Sequence, residues 1–194
     1  MTPRVLLLGD SIRMGYQDVV KAKLAGKAEV VAPADNGRDT TYTLYQANQL
    51  LAAAGDFDVI HWNNGYWDMN IEPPLATPLR PLPEYGYQLD RLAELLLAHC
   101  HTLLFATSLP IERSGAAVDN TGTGAMIHYD NDWVVAYNQA ATTVMAARGV
   151  AIDDLYQVAL AGPRFYKGAD HLHLTETGNQ VVGQAVASAI AAVL

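Results

Sequence analysis

The 194 residues suit one domain of ordinary size, and 51% hydrophobic residues supply a sizeable core, while a charged fraction of 16% is too low for a disordered chain. Twenty acidic residues against 12 basic ones leave a net charge of −8. No run of Lys or Arg forms a patch, so nucleic acid and anionic membranes are poor partners.

The N-terminal Met1-Thr2-Pro3-Arg4 leads straight into an apolar stretch too short for a signal peptide, with no small-residue cleavage site. No apolar run approaches the ~18 residues of a membrane span, and the expected location is the cytoplasm. Val5-Leu6-Leu7-Leu8, stopped by Gly9, reads as a strand buried on both faces. Helical spacing follows from Tyr16 to Leu24, with Gly26 as the stop. Val30-Val31-Ala32 is a second short strand and Asn36-Gly37 a turn; Asp39-Thr40-Thr41 opens a helix to about Ala54.

The third strand is Val59-Ile60-His61-Trp62. Pro73, Pro74, Pro78, Pro81 and Pro83 then define a long loop without regular helix, and a helix is expected from roughly Gln88 to Ala98. The fourth strand is Thr102–Ala106, followed by a polar, glycine-bearing loop over about Ile111 to Asp130. A helix from roughly Asp132 to Ala147, a fifth strand at Val150-Ala151-Ile152 and a closing helix from Thr175 to Val193 complete the chain. The alternation predicts one domain over residues 1–194: a three-layer α/β/α fold with a five-stranded parallel sheet of flavodoxin-like type. There is no internal repeat or linker-like composition break.

Such sheets carry their functional groups beyond the C-terminal strand ends. Gly9-Asp10-Ser11, Asn36-Gly37, Asn63-Asn64-Gly65, Thr107-Ser108 and Asp170-His171-Leu172-His173 should therefore converge on one rim. Ser11 lies between a strand and a helix, where its hydroxyl can project as a nucleophile beside helix N-terminal amides; taken alone it reads better as a capping serine. Asp170 and His173, three residues apart, can meet on one side, the carboxylate fixing the imidazole that acts as base. His171 is offset by one and points elsewhere.

Gly9-Asp10-Ser11-Ile12-Arg13-Met14-Gly15-Tyr16 resembles the first block of the SGNH (GDSL-type) hydrolases. Asp170-His171-Leu172-His173-Leu174-Thr175 with Gly178 resembles their final Asp-x-x-His block. Tyr137-Asn138-Gln139-Ala140-Ala141 and Ile152-Asp153-Asp154-Leu155-Tyr156 resemble the late helix and fifth strand of that family, so the likeness runs in order along essentially the whole chain. It implies a serine ester hydrolase with Ser11 as nucleophile, His173 as base and Asp170 as its partner. It also implies an oxyanion hole made by the Ser11 amide, the Gly37 position and an asparagine after the third strand.

That third block departs from the family: Gly65-Tyr66-Trp67-Asp68 stands where Gly-x-Asn-Asp is usual, and Trp67 occupies the asparagine slot. Asn64 is preferred as the substitute donor, with Asn63 as the alternative. Tyr66 and Trp67 are candidate substrate contacts. Arg13 and Asp10 are expected to brace the first loop. His99-Cys100-His101 and Asp170-His171-His173 are weighed as metal sites and set aside; no metal and no cofactor is expected. The partner is a small-molecule or saccharide ester, the acyl group acetyl or similarly small. An acyltransferase on the same triad and a non-catalytic ligand-binding module on the same fold are the competing readings.

Overall fold

A computed structural model describes residues 2–115, 117–119, 124, 126–162, 165–166 and 171–194. The elements run β1 (Arg4–Leu8), α1 (Ser11–Leu24), β2 (Glu29–Val31), α2 (Thr40–Ala54), β3 (Phe57–Trp62), α3 (Tyr66–Met69) and α4 (Leu82–Leu97). After them come β4 (Cys100–Ala106), β5 (Ala117–Asp119), β6 (Met126–His128), α5 (Asn131–Ala147), β7 (Ala151–Asp153), α6 (Leu155–Leu160) and α7 (Glu176–Ala191).

Five strands form one parallel sheet in the order β2-β1-β3-β4-β7. The centre is apolar because both faces are covered: Val5 to Leu8, Ile60 and Trp62 are fully buried. The edge strands β2 and β7 are only three residues long and carry exposed positions. One helical group joins α1, α7 and α6; the other joins α2, α4 and α5. The expected three-layer α/β arrangement is thus the observed one.

The α1–α7 crossing bears directly on the site, since α1 begins at Ser11 and α7 begins just after His173. It is close because small residues face it. A Cβ on Gly183 would lie 2.7 Å from Val19 Cβ, and one on Gly15 would lie 2.7 Å from Asn179 Oδ1. Side chains at either position would push the two helices apart.

Three features differ from the sequence expectation. Helix α4 begins at Leu82 rather than near Gln88, because Pro83 falls in the first turn, where a missing N–H has no intrahelical acceptor to lose. The loop after β4 contains an antiparallel pair, β5 with β6, and His128 bridges to Ile71 in the proline-rich loop. The short α6 is capped by the Asp154 carboxylate, which accepts from Gln157 N–H. No helix among the described residues is long and apolar enough to cross a membrane.

Candidate active site

The first strand ends in Gly9, and Asp10 caps α1 by accepting the Ile12 N–H at 2.9 Å. That cap places Ser11 at the first helical position, where its amide has no intrahelical acceptor and the helix dipole favours negative charge. At the other end of the chain, Thr175 caps α7 by accepting the Gly178 N–H at 3.2 Å, which fixes the segment before it. His173 lies in that segment, and its Nε2 is 2.8 Å from Ser11 Oγ across 162 residues of sequence. Of the expected catalytic set, the structure therefore brings Ser11 and His173 together. Asp170 lies outside the described residues.

His171 is turned away, as its offset suggested. Its Nδ1 is 2.6 Å from Glu112 Oε2, and Glu112 donates its own N–H to the His171 carbonyl at 2.9 Å. His171 has φ +56°, a left-handed conformation uncommon for a residue with a side chain, and Glu112 holds it from two directions.

Gly37 stands beside the Ser11 turn, and its amide already has an acceptor within the protein. The Gly37 N–H donates to the Gly9 carbonyl at 2.9 Å, and a Cβ there would sit 2.6 Å from that same oxygen. Glycine is required here for the close approach of the β2–α2 loop to the β1–α1 turn. Buried Arg13 braces the same junction. Its Nη1 donates to the Pro33 carbonyl at 2.8 Å and its Nη2 to the Asp35 carbonyl at 2.9 Å, with weaker contacts to the Gly9 carbonyl. Burial lowers its pKa, and the charges of Tyr16, Asp10 and Asp35 oppose that.

Asn64, the preferred asparagine of the pair, points inward. Asn64 is fully buried, and both of its Nδ2 hydrogens are taken, by the Arg38 carbonyl and by Thr43 Oγ1, each at 2.9 Å. Its Oδ1 accepts the Trp62 indole N–H at 2.6 Å, and Tyr85 Oη donates to its carbonyl at 2.8 Å. Asn64 is a knot tying β3 to the loop before α2. Asn63 spends one Nδ2 hydrogen on the Ala106 carbonyl at 2.7 Å. A second hydrogen remains on that amide.

Tyr66, expected as a substrate contact, is in the core: it is 2% exposed, its hydroxyl donates to the Leu109 carbonyl at 2.5 Å, and its ring meets Tyr129 edge-on. Trp67, next to it on α3, is half-buried. Sequence reasoning passed over two supports of this rim. Asp68 accepts Thr40 Oγ1 at 2.7 Å and Arg80 Nε at 2.9 Å, while Arg80 Nη2 reaches Asp39 Oδ1 at 3.0 Å and Thr41 Oγ1 at 2.8 Å. Burial pushes the Asp68 carboxyl up to about 7, against the pull of its Thr40 and Arg80 donors. Asn138 on α5 exchanges two 2.8 Å bonds with the backbone of Ser108 and pins the loop after β4. The Arg80 signal was hidden among prolines; Asp68 and Asn138 stood inside the family-like blocks.

Among the described residues, Asp10 is an ionisable group close to His173. It is 1% exposed, its Oδ2 has no hydrogen-bond partner among the described residues, and burial raises its pKa against the opposing influence of Ile12 N–H, His173 and Arg13. No cluster of three or more His, Cys, Asp or Glu among the described residues is arranged to hold a metal. His99 and His101 instead face Asp56 (2.8 Å) and Asp58 (3.4 Å) at the N-terminal ends of β3 and β4.

Neither a protein-family model nor a curated protein sequence matches the chain. Solved structures do. The aryl esterase of M. smegmatis superposes with a TM-score of 0.78 at 16% identity, covering 100% of both chains. A carbohydrate acetylesterase family member from Sinorhizobium meliloti gives 0.77 at 18% identity, covering 100% of this chain and 99% of that one. A member of the lipolytic protein G-D-S-L family from Veillonella parvula gives 0.69 at 16% identity, with coverages of 97% and 98%. Strand order, layer arrangement and these full-length superpositions agree that the chain has the fold of the SGNH, or GDSL-type, hydrolases.

Proposed function

We propose that the protein is a serine carboxylic ester hydrolase in which Ser11 attacks and His173 moves the proton. The observation that carries this reading is the 2.8 Å contact between His173 Nε2 and Ser11 Oγ, made by residues at opposite ends of the chain. A capping serine has no use for an imidazole there. As the Ser11 oxygen bonds to the acyl carbon, His173 takes its proton and then delivers it to the departing alcohol oxygen. Water, deprotonated by the same imidazole, releases the acid from the acyl-serine. Asp170, three residues before His173, is proposed to stabilise the imidazolium.

Negative charge on the tetrahedral oxygen would be met by the Ser11 amide at the head of α1 and by the second Nδ2 hydrogen of Asn63. Asn63 is preferred because the Asn64 and Gly37 donors already have acceptors within the protein. For the substrate we favour a small acyl group, acetyl above all, on a carbohydrate or similar alcohol. Support comes from structural neighbours named as an aryl esterase and a carbohydrate acetylesterase.

The test is hydrolysis of p-nitrophenyl acetate, butyrate and octanoate, alongside acetate release from an O-acetylated xylo-oligosaccharide, by wild type and Ser11→Ala. The expected result is acetate preferred and all activity lost in the variant. Preference for octanoate would overturn the small-acyl assignment. Wild-type activity in the variant would overturn the nucleophile.

A further inference from the structure

Beneath the Ser11 turn lies a small cavity of about 10 Å³, about the space of one water-sized sphere. Every residue lining it is buried. Its walls join three segments of the rim: Tyr16 from α1, Asn63 from the end of β3, and Thr107, Ser108 and Leu109 from the end of β4, with Leu155 of α6 closing it. Two of these side chains carry hydroxyls that find no hydrogen-bond partner among the described residues, Tyr16 Oη and Ser108 Oγ, in residues that are 1% and 2% exposed. The other polar side chains have bonds of their own. Thr107 Oγ1 donates to Asp154 Oδ1 and accepts from Tyr156 N–H, while Asn63 holds the Ala106 carbonyl and keeps one amide hydrogen.

The walls are largely apolar, but two of the residues lining them carry unmet hydroxyls that a water could satisfy. A buried hydroxyl without a partner is costly, and a buried water with two to four polar partners removes the cost. We infer that the cavity is a binding site for one structural water, held by Tyr16 Oη and Ser108 Oγ. That water ties the helix that starts at Ser11 to the loop that ends β4. Its removal loosens the join between α1 and the β4-end loop, in addition to leaving polar groups unmet. The site is separate from the hydrolytic reading and stands or falls without it.

The test is thermal unfolding of Tyr16→Phe, Ser108→Ala and the double variant, together with a crystal structure of the wild type at high resolution. Neither substitution removes a backbone bond, and Asn138 still pins residue 108 through main-chain atoms. With a shared water, each single variant lowers Tm by about 2–4 °C. The double variant then falls little further than the worse single one, because both hydroxyls act through one molecule. Density for one water within hydrogen-bond distance of both oxygens is expected. Unchanged or raised Tm in Tyr16→Phe would mean a dry cavity and an unmet hydroxyl, overturning the proposal. Additive losses in the double variant, or a cavity without water density, would overturn it equally.

Discussion

Gly37→Ala is the substitution whose cost follows most directly from the geometry. The new Cβ would lie 2.6 Å from the Gly9 carbonyl oxygen and 3.0 Å from its carbon. Both are backbone atoms, so no side chain can rotate out of the way. The β2–α2 loop must withdraw, which breaks the 2.9 Å bond from Gly37 N–H to Gly9. Losing that bond costs about 1 kcal/mol and relieving the overlap about 1–3 kcal/mol, a total of about 2–4 kcal/mol. For a domain of this size each kcal/mol moves Tm by about 2–4 °C, so Tm should fall by about 4–16 °C. The displaced Gly9 carbonyl is two residues from Ser11, and misplacing a reacting group by about 1 Å can cost 10²-fold. Calorimetry and ester hydrolysis well below Tm read the two effects separately; kcat/KM should drop by about 10- to 100-fold. A variant with the Tm and kcat/KM of the wild type would refute the tight junction of these loops.

The two asparagines should part company. Asn64→Ala strands the Trp62 indole N–H and the Arg38 carbonyl and should cost about 2–4 kcal/mol in urea unfolding; Asn63→Ala loses the single bond to the Ala106 carbonyl, should cost about 1 kcal/mol and should lower kcat by about 10²- to 10³-fold. The reverse pattern would restore Asn64 as the oxyanion donor. Arg80→Met leaves Asp68 buried without its cation and should cost about 3–5 kcal/mol; wild-type stability in that variant would remove Arg80 from the framework. Asp10→Asn keeps the helix cap but removes a carboxyl whose pKa burial raises above 3.8. Such a group contributes stability fully below its unfolded pKa and loses it as pH rises through the folded value. The stability of the variant relative to wild type should therefore climb with pH from about 4 upward, and a flat difference would contradict the raised pKa.

Much of this was legible in the residues because the period and burial of the elements agree. Val5 to Leu8 is apolar without alternation, which a strand covered on both faces must be, and the strand–helix alternation implied the sheet. The Ser11–His173 meeting was legible because Ser11 follows the end of β1 and His173 lies just before the cap of α7, and the topology gathers both on one rim. What stayed hidden depended on which way a side chain or amide points. Nothing in Asn63-Asn64 tells which carboxamide turns inward to Arg38 and Thr43; the pleat and the Trp62 indole decide it. Gly37 fitted both an open donor and a close approach, and only the position of the Gly9 carbonyl separates them. Tyr66 looked like a rim aromatic because its loop is at the rim, yet its hydroxyl satisfies the Leu109 carbonyl inside. Arg80 had one local cue, Glu84 four residues on, whereas its partners Asp39, Thr41 and Asp68 are brought to it by folding alone.

The proposed hydrolysis requires Ser11 to be a nucleophile activated by His173. The most direct measurement is labelling by a fluorophosphonate, read by intact mass and peptide mapping, in wild type, Ser11→Ala and His173→Ala. One adduct on Ser11 in the wild type, none in Ser11→Ala and labelling slowed by orders of magnitude in His173→Ala is the predicted result. Labelling of another residue, or His173→Ala reacting at the wild-type rate, would contradict it.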